Sequence, residues 1–202
     1  MALTFEIKSG KAVLSDPCYT LGTWCAAVLE NVKNGIWGVY VERDPIHKRN
    51  ASLLAYNLES LFEYPHLENE LWNAPPLPQL AGVDSGQFGF FDFDGYRNDE
   101  SITPDVKLWD YTETEPGDKF YSACCNLTLS KESYGVLPLG VVSSSGWGDG
   151  SYELRAVKNS AGEYIGFLVI FIEDEKLNDD EDDFWREDED EEDEDEDDSD
   201  AE

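Results

Sequence analysis

The sequence predicts a β-rich fold, all-β leaning to α+β: a single compact antiparallel sandwich- or barrel-like domain with one or two short helices and a disordered acidic C-terminal tail. Three observations carry that expectation. Short runs rich in aromatic and β-branched residues recur along residues 3–173, punctuated by Gly, Pro, Asn and Asp clusters. A length of 202 residues suits one domain with an appendage. The charge is also segregated, because residues 173–202 hold 22 Asp and Glu against only Lys176 and Arg186, a net −20 of the chain's −31. A segment of that composition buries too little apolar surface to offset the entropy of ordering it. The expected division is therefore a globular domain over 1–173 and a disordered tail over 174–202.

Taken in order, "LTFEIKSGKAVLSD" reads as two strands turned at Ser9, Gly10 and Lys11. "TWCAAVLENVKNG" reads as a helix, with Thr23 as N-cap, Asn34-Gly35 as the stop, and Trp24, Val28 and Val32 along one side. "GIWGVYVERD" is a strand halted by Asp44-Pro45, and "SLLAYN" is its expected partner across the basic loop His47-Lys48-Arg49-Asn50. "LESLFEYPHLENELWN" suits two short helical pieces divided by Pro65, and "APPLPQLAG" a proline-rich connector. "GQFGFFDFD" and "GVLPLGVVSSS" read as β-structure, and residues 97–118 as a polar excursion of a length often given to function. "KFYSACCNLTLS" alternates like a strand, which would put Cys124 and Cys125 on opposite faces, unable to share a bridge or a metal. "SYELRAVKN" and "EYIGFLVIFIED" form a hairpin across Ser160, Ala161 and Gly162, the apolar second strand being covered on both faces.

Three body segments stand out: "SDPCYTLGTW", "VDSGQFGFFDFDGY" and "SGWGDGSYELRA". Together they resemble a poorly characterised family of bacterial and phage domains that share DP-x-Y, DSG-x-x-G-x-x-D and SG-x-GDG-x-Y elements. The resemblance spans most of residues 5–172, implies one compact β-rich domain, and carries no catalytic residue over.

Read from the residues, "SDPCY" poses the question of a nucleophilic cysteine, which needs a lowered pKa from a nearby His or helix N-terminus. Only His47 and His66 exist, and neither is placed near Cys18 by the sequence, so the expected role is a turn in which Asp16 accepts backbone N–H bonds. If the domain were an enzyme, Asp16, Asp84 and Asp149 would be its acids, since each sits in a glycine- or proline-bounded turn. Asp92, Asp94 and Asn98 are the weak candidates for a divalent cation: Asp92, Asp94 and Gly95 match part of a calcium loop, but Phe90 and Ser101 fall where its end ligands belong. "SSSGWGDGSY" is neither a phosphate loop nor a nucleophile elbow, and its glycines permit positive φ, with Trp147 as a cap on the core. No cofactor is expected from these patterns, the one alternative being a divalent cation.

Twelve consecutive acids, Glu187, Asp188, Glu189, Asp190, Glu191, Glu192, Asp193, Glu194, Asp195, Glu196, Asp197 and Asp198, make the strongest signal in the chain. Phe184 and Trp185 precede them, and aromatics flanked by acids suit a basic groove with an apolar floor. The expected partner is a basic protein surface, that of a nucleic-acid-binding protein, engaged as a nucleic-acid mimic by a non-enzymatic competitor or regulator; a phage or bacterial host-factor modulator fits the resemblance. Direct binding to nucleic acid or to an anionic membrane is opposed by the chain's own charge. The alternatives are a small divalent-cation-dependent enzyme using the acidic turns, a structural component of a larger particle, and a tail that serves solubility alone. No run approaches the ~20 apolar residues of a membrane span, and the opening residues lack the pattern of a signal peptide, so a cytoplasmic location is expected. Cys18, Cys25, Cys124 and Cys125 show no CxxC spacing and read as reduced thiols.

Overall fold

A computed structural model describes residues 3–24, 26–112 and 114–173. The tail residues singled out in the sequence, Phe184, Trp185 and 187–198, therefore lie outside the described residues, as does Cys25. Within them the chain is β-rich and antiparallel. It forms β1 (Thr4–Ile7), β2 (Lys11–Ser15), β3 (Ala27–Glu30), β4 (Gly35–Arg43), β5 (Asn50–Asn57), β6 (Ala81–Val83), β7 (Gln87–Asp92), β8 (Tyr134–Leu137), β9 (Gly140–Ser144), β10 (Gly150–Lys158) and β11 (Tyr164–Ile170). Two helices, α1 (Leu67–Asn73) and α2 (Asp118–Thr128), join them.

The strands make a six-stranded sheet, β1-β4-β5-β11-β10-β6, and a five-stranded sheet, β3-β2-β7-β9-β8. Three apolar layers follow from the alternation of side chains across the strands. Between the sheets lie Phe5, Ile7, Trp37, Phe88, Phe90, Phe167 and Val169, with the Trp37 and Phe167 rings stacked at 5.0 Å. On the outer face of the larger sheet, Leu67 and Leu71 of α1 meet Leu54, Leu168 and Ile170. On the outer face of the smaller sheet, Phe120, Ala123 and Cys124 of α2 meet Val13, Phe91 and Val142. The result is a sandwich with one helix on each side. As expected, β11 is central and covered on both faces, its residues alternating between the inter-sheet layer and the α1 layer.

Two elements exchange type relative to the sequence reading. Residues 23–35 hold a strand instead of a helix: in β3, Ala27 and Leu29 are buried while Val28 and Glu30 are exposed, and the segment pairs with β2 from Lys11↔Glu30 to Leu14↔Ala27. The edge of β2 offers a ladder that outweighs the weak helical spacing. Conversely, α2 is a helix where alternation suggested a strand. Its apolar residues Phe120, Ala123, Cys124 and Leu127 sit at helical spacing and pack on one layer. Cys124 is thus buried while its neighbour Cys125 is only partly covered, a helical offset instead of opposite strand faces.

The two strands turned at Ser9 and Gly10 do not form a hairpin. β1 pairs with β4 in one sheet and β2 with β3 and β7 in the other, so the turn carries the chain between sheets. Asp92, fully buried at the end of β7, fixes it. Its Oδ2 accepts from Lys8 N at 2.7 Å, Ser9 N at 2.8 Å and Ser9 Oγ at 2.9 Å, and its Oδ1 accepts from Asp94 N at 2.9 Å.

Candidate functional site

The opposite end of the β2–β7 pair carries two more crossings between the sheets, from β6 into β7 and from β9 into β10. The three segments singled out in the sequence meet here. Asp16, fully buried, follows β2. Its Oδ1 accepts from Cys18 N at 2.9 Å and Ser85 Oγ at 2.6 Å, and its Oδ2 from Asp84 N at 2.9 Å and Ser85 N at 2.7 Å. Asp149 Oδ1 accepts from Gly86 N at 3.1 Å, and Ser145 N donates to Gly86 O at 3.0 Å. The turn at 84–86 is thereby gripped from both flanks. Gly86 at φ +69° and Gly148 at φ +104° supply the left-handed backbone that the grip requires. Tyr96 Oη bonds Asp16 O at 3.0 Å and Tyr19 O at 2.7 Å, and Arg97 Nη1 reaches Pro17 O at 3.0 Å, securing the DPCY turn from the far side.

The acids proposed from sequence, Asp16, Asp84 and Asp149, are therefore brought to one end of the sandwich, in unlike states. Asp16 is buried and its carboxylate is occupied by four donors, whereas the side chains of Asp84 and Asp149 are exposed. The weak metal candidates do not form a cage. Asp92 is occupied by the donors at Lys8, Ser9 and Asp94, and Asn98 is tied locally, its Nδ2 to Asp94 O at 2.9 Å and its Oδ1 to Glu100 N at 3.1 Å. Among the described residues no three His, Cys, Asp or Glu side chains converge as metal ligands would.

A polar relay leads outward from this cluster. Gln87 Nε2 lies 3.5 Å from both Ser85 Oγ and Cys125 Sγ, and Gln87 Oε1 accepts from Thr128 Oγ1 at 3.0 Å. Beyond Cys125 opens a cleft of about 310 Å³ between α2 and the polar excursion, lined by Trp109, Asp110, Tyr111, Thr112, Thr114, Asp118, Tyr121, Ser122 and Cys125. Ser122 holds the excursion to the helix: Trp109 N donates to Ser122 O at 3.2 Å and Ser122 Oγ to Trp109 O at 2.6 Å. At the start of α2, Asp99 accepts from Gly117 N at 2.8 Å and Phe120 N at 2.9 Å, while Asp118 Oδ2 accepts from Thr114 N, Thr114 Oγ1 and Glu115 N at 2.6–2.8 Å.

Electrostatics argue against nucleophilic chemistry at this end. The Cys18 thiol is pushed up to about 12, first by burial and then by the Asp16 carboxylate beside it. Burial also pushes the Tyr121 phenol up to about 12, with Cys125 adding to it, and raises Cys124 well above an ordinary thiol. All three stay neutral at pH 7. The opposite trend appears at Asp118, held below the usual carboxylate range first by the Thr114 hydroxyl and then by the Glu115 and Thr114 N–H groups, so that the cleft keeps a charged acid.

The imidazole of His47 lies elsewhere. Its Nδ1 is 2.8 Å from Asp44 Oδ2, its backbone N–H also bonds that oxygen, and its ring meets Trp147 edge-on at 4.7 Å. Arg49 stands over the same Trp147 at 5.1 Å and donates to Gly146 O at 2.8 Å. Trp147 is thus half-exposed against a basic loop, a correction to its expected place as a cap on the core.

Sequence reasoning missed the cleft. Trp109 and Tyr121 were visible as residues, but only the helical spacing at 120, 123, 124 and 127 would have revealed that α2 turns Tyr121 and Cys125 toward the excursion. Set against known proteins, the chain matches no family model, no curated protein and no solved structure. Among the described residues no helix is long and apolar enough to cross a membrane.

Proposed function

We propose that the chain is a non-enzymatic interaction protein that engages a basic protein surface, that of a nucleic-acid-binding partner, as a competitor or regulator. The observation that carries this reading is the unbroken acidic run 187–198. An extended peptide advances about 3.3–3.6 Å per residue, and a DNA strand places one phosphate about every 3.4 Å. Twelve carboxylates in a row therefore match a nucleic-acid strand in linear charge density, and a groove built for phosphates attracts them by the same long-range field. The hydrogen bonding of the body supports a binding role over an acid–base one. Asp16, the most deeply placed acid of the three motif turns, organises backbone instead of standing free to exchange a proton with a substrate.

The test is titration of a Lys/Arg-rich peptide and of a basic nucleic-acid-binding domain into the full chain and into a chain lacking residues 174–202, at low and high salt. The reading expects binding that weakens steeply with salt and is largely lost on deletion. Equal affinity of the two chains at both salt concentrations refutes it.

A further inference from the structure

We infer that the cleft between α2 and the segment carrying Trp109, Asp110 and Tyr111 receives the guanidinium of a single arginine presented by a basic partner. This rests on the reading above, which supplies a cationic partner, and adds to it a second, specific contact on the body. Three aromatic residues, Trp109, Tyr111 and Tyr121, and two acids, Asp110 and Asp118, line one small concavity, and no Lys, Arg or His is among its lining residues. A planar cation is the ligand that satisfies both kinds of wall at once. It stacks on an indole or phenol face by cation–π attraction and donates to carboxylates from its edge. At about 310 Å³ the cleft lies at the small end of ligand sites, room for one side chain.

The walls are held in place before any ligand arrives. Trp109 is 54 % exposed while its backbone is clamped on both sides to Ser122, so an exposed residue sits on a fixed stem. Asp110 adopts φ +40°, a conformation that turns the chain sharply between the two aromatic residues and that Asp tolerates better than most. The bonds that Asp118 accepts all fall on Oδ2, which leaves Oδ1 without one among the described residues. Arg97 donates to the carbonyls of Pro17 and Cys18 and acts on Asp118 from behind Gly117, outside the cleft wall, while Lys119 donates to Ile102 O. Among the described lining residues the site therefore has negative charge and aromatic faces, and no cation.

The test uses the full chain and a readout at the cleft itself, because the acidic tail attracts any cation. Nα-acetyl-arginine amide is titrated against isotopically labelled protein, following the Trp109 indole N–H and the backbone amides of Tyr121 and Ser122, with Nα-acetyl-citrulline amide as the neutral probe of the same shape. Saturable shifts with arginine and none with citrulline are expected. Trp109→Ala should weaken the isotherm about three- to thirtyfold. Asp110→Asn, which keeps the backbone conformation and removes the charge, should weaken it severalfold. A chain with the twelve acids at 187–198 changed to Asn and Gln should keep the same cleft isotherm. Equal response to citrulline, or arginine-dependent shifts confined to residues 187–198, overturns the inference. Failure of the tail reading is seen separately, as basic-peptide affinity that does not change when those acids are neutralised.

Discussion

Replacing Asp16 by alanine separates an organising acid from a catalytic one. The carboxylate is fully buried and accepts three backbone N–H groups and one hydroxyl, from Cys18, Asp84 and both the backbone and side chain of Ser85. Hydrogen bonds to a charged group contribute roughly 1.5–3 kcal/mol each, and a buried donor left without a partner costs about 1–3 kcal/mol. Cys18 and Ser85 are only partly covered, so water recovers some of the loss. A total near 3–5 kcal/mol is expected for Asp16→Ala, within the range for removing one partner of a buried charged network. Asp16→Asn keeps one accepting oxygen and turns an NH₂ toward the other donors, so about half that cost is expected. Urea unfolding followed by circular dichroism measures both. With an m value of about 1–3 kcal/mol/M the alanine variant should unfold at a midpoint lower by roughly 2 M. A midpoint within 0.5 M (~1 kcal/mol) of the parent, or an asparagine variant equal to the parent, would refute the assignment of Asp16 as the clamp of the sheet crossings.

Two further outcomes follow from the same geometry. Gly89→Ala should destabilise the fold by about 1–3 kcal/mol, since a Cβ there would stand 2.3 Å from Val141 O and 2.4 Å from the Phe91 ring; a change in thermal midpoint under about 2 °C would contradict that packing. Cys18 should resist iodoacetamide at pH 8 in the folded protein and react at once in 6 M urea, read by mass spectrometry of its peptide. Its folded value of about 12 lies above the ordinary 9.0, so the stability linked to the neutral thiol is present below pH 9 and is lost as pH rises toward 12, a loss that Cys18→Ser should reduce.

The β-rich class, the β4–β5 and β10–β11 pairings, and the central position of β11 were legible because each rests on a long run of strand-forming residues bounded by turn signals. The exchange at 23–35 and 118–128 was not, because both segments are short and carry weak versions of two periods at once. Leu29 and Ala27 are settled by the edge of β2, and Phe120, Ala123 and Cys124 by the floor that Phe91 and Val142 provide. Of the site, the three turns were legible from Gly and Pro bounding their acids. Their convergence was not, since contacts such as Asp16 to Ser85 span 69 positions and leave no local trace. The cleft depends on a helix that alternation disguised.

The two fully buried aspartates, Asp16 and Asp92, also tie the domain to contacts that are distant along the chain. Asp92 joins residues 83 and 84 positions away, and Asp16 joins residues 68 and 69 positions away, so neither latch closes before segments far apart along the chain have met. Topologies of this kind reach the native state over milliseconds to seconds, long after isolated helices would have formed. During that interval the layer around Phe88 and Phe90 stays incomplete until β11 enters between β5 and β10 and adds Phe167 and Val169 to it.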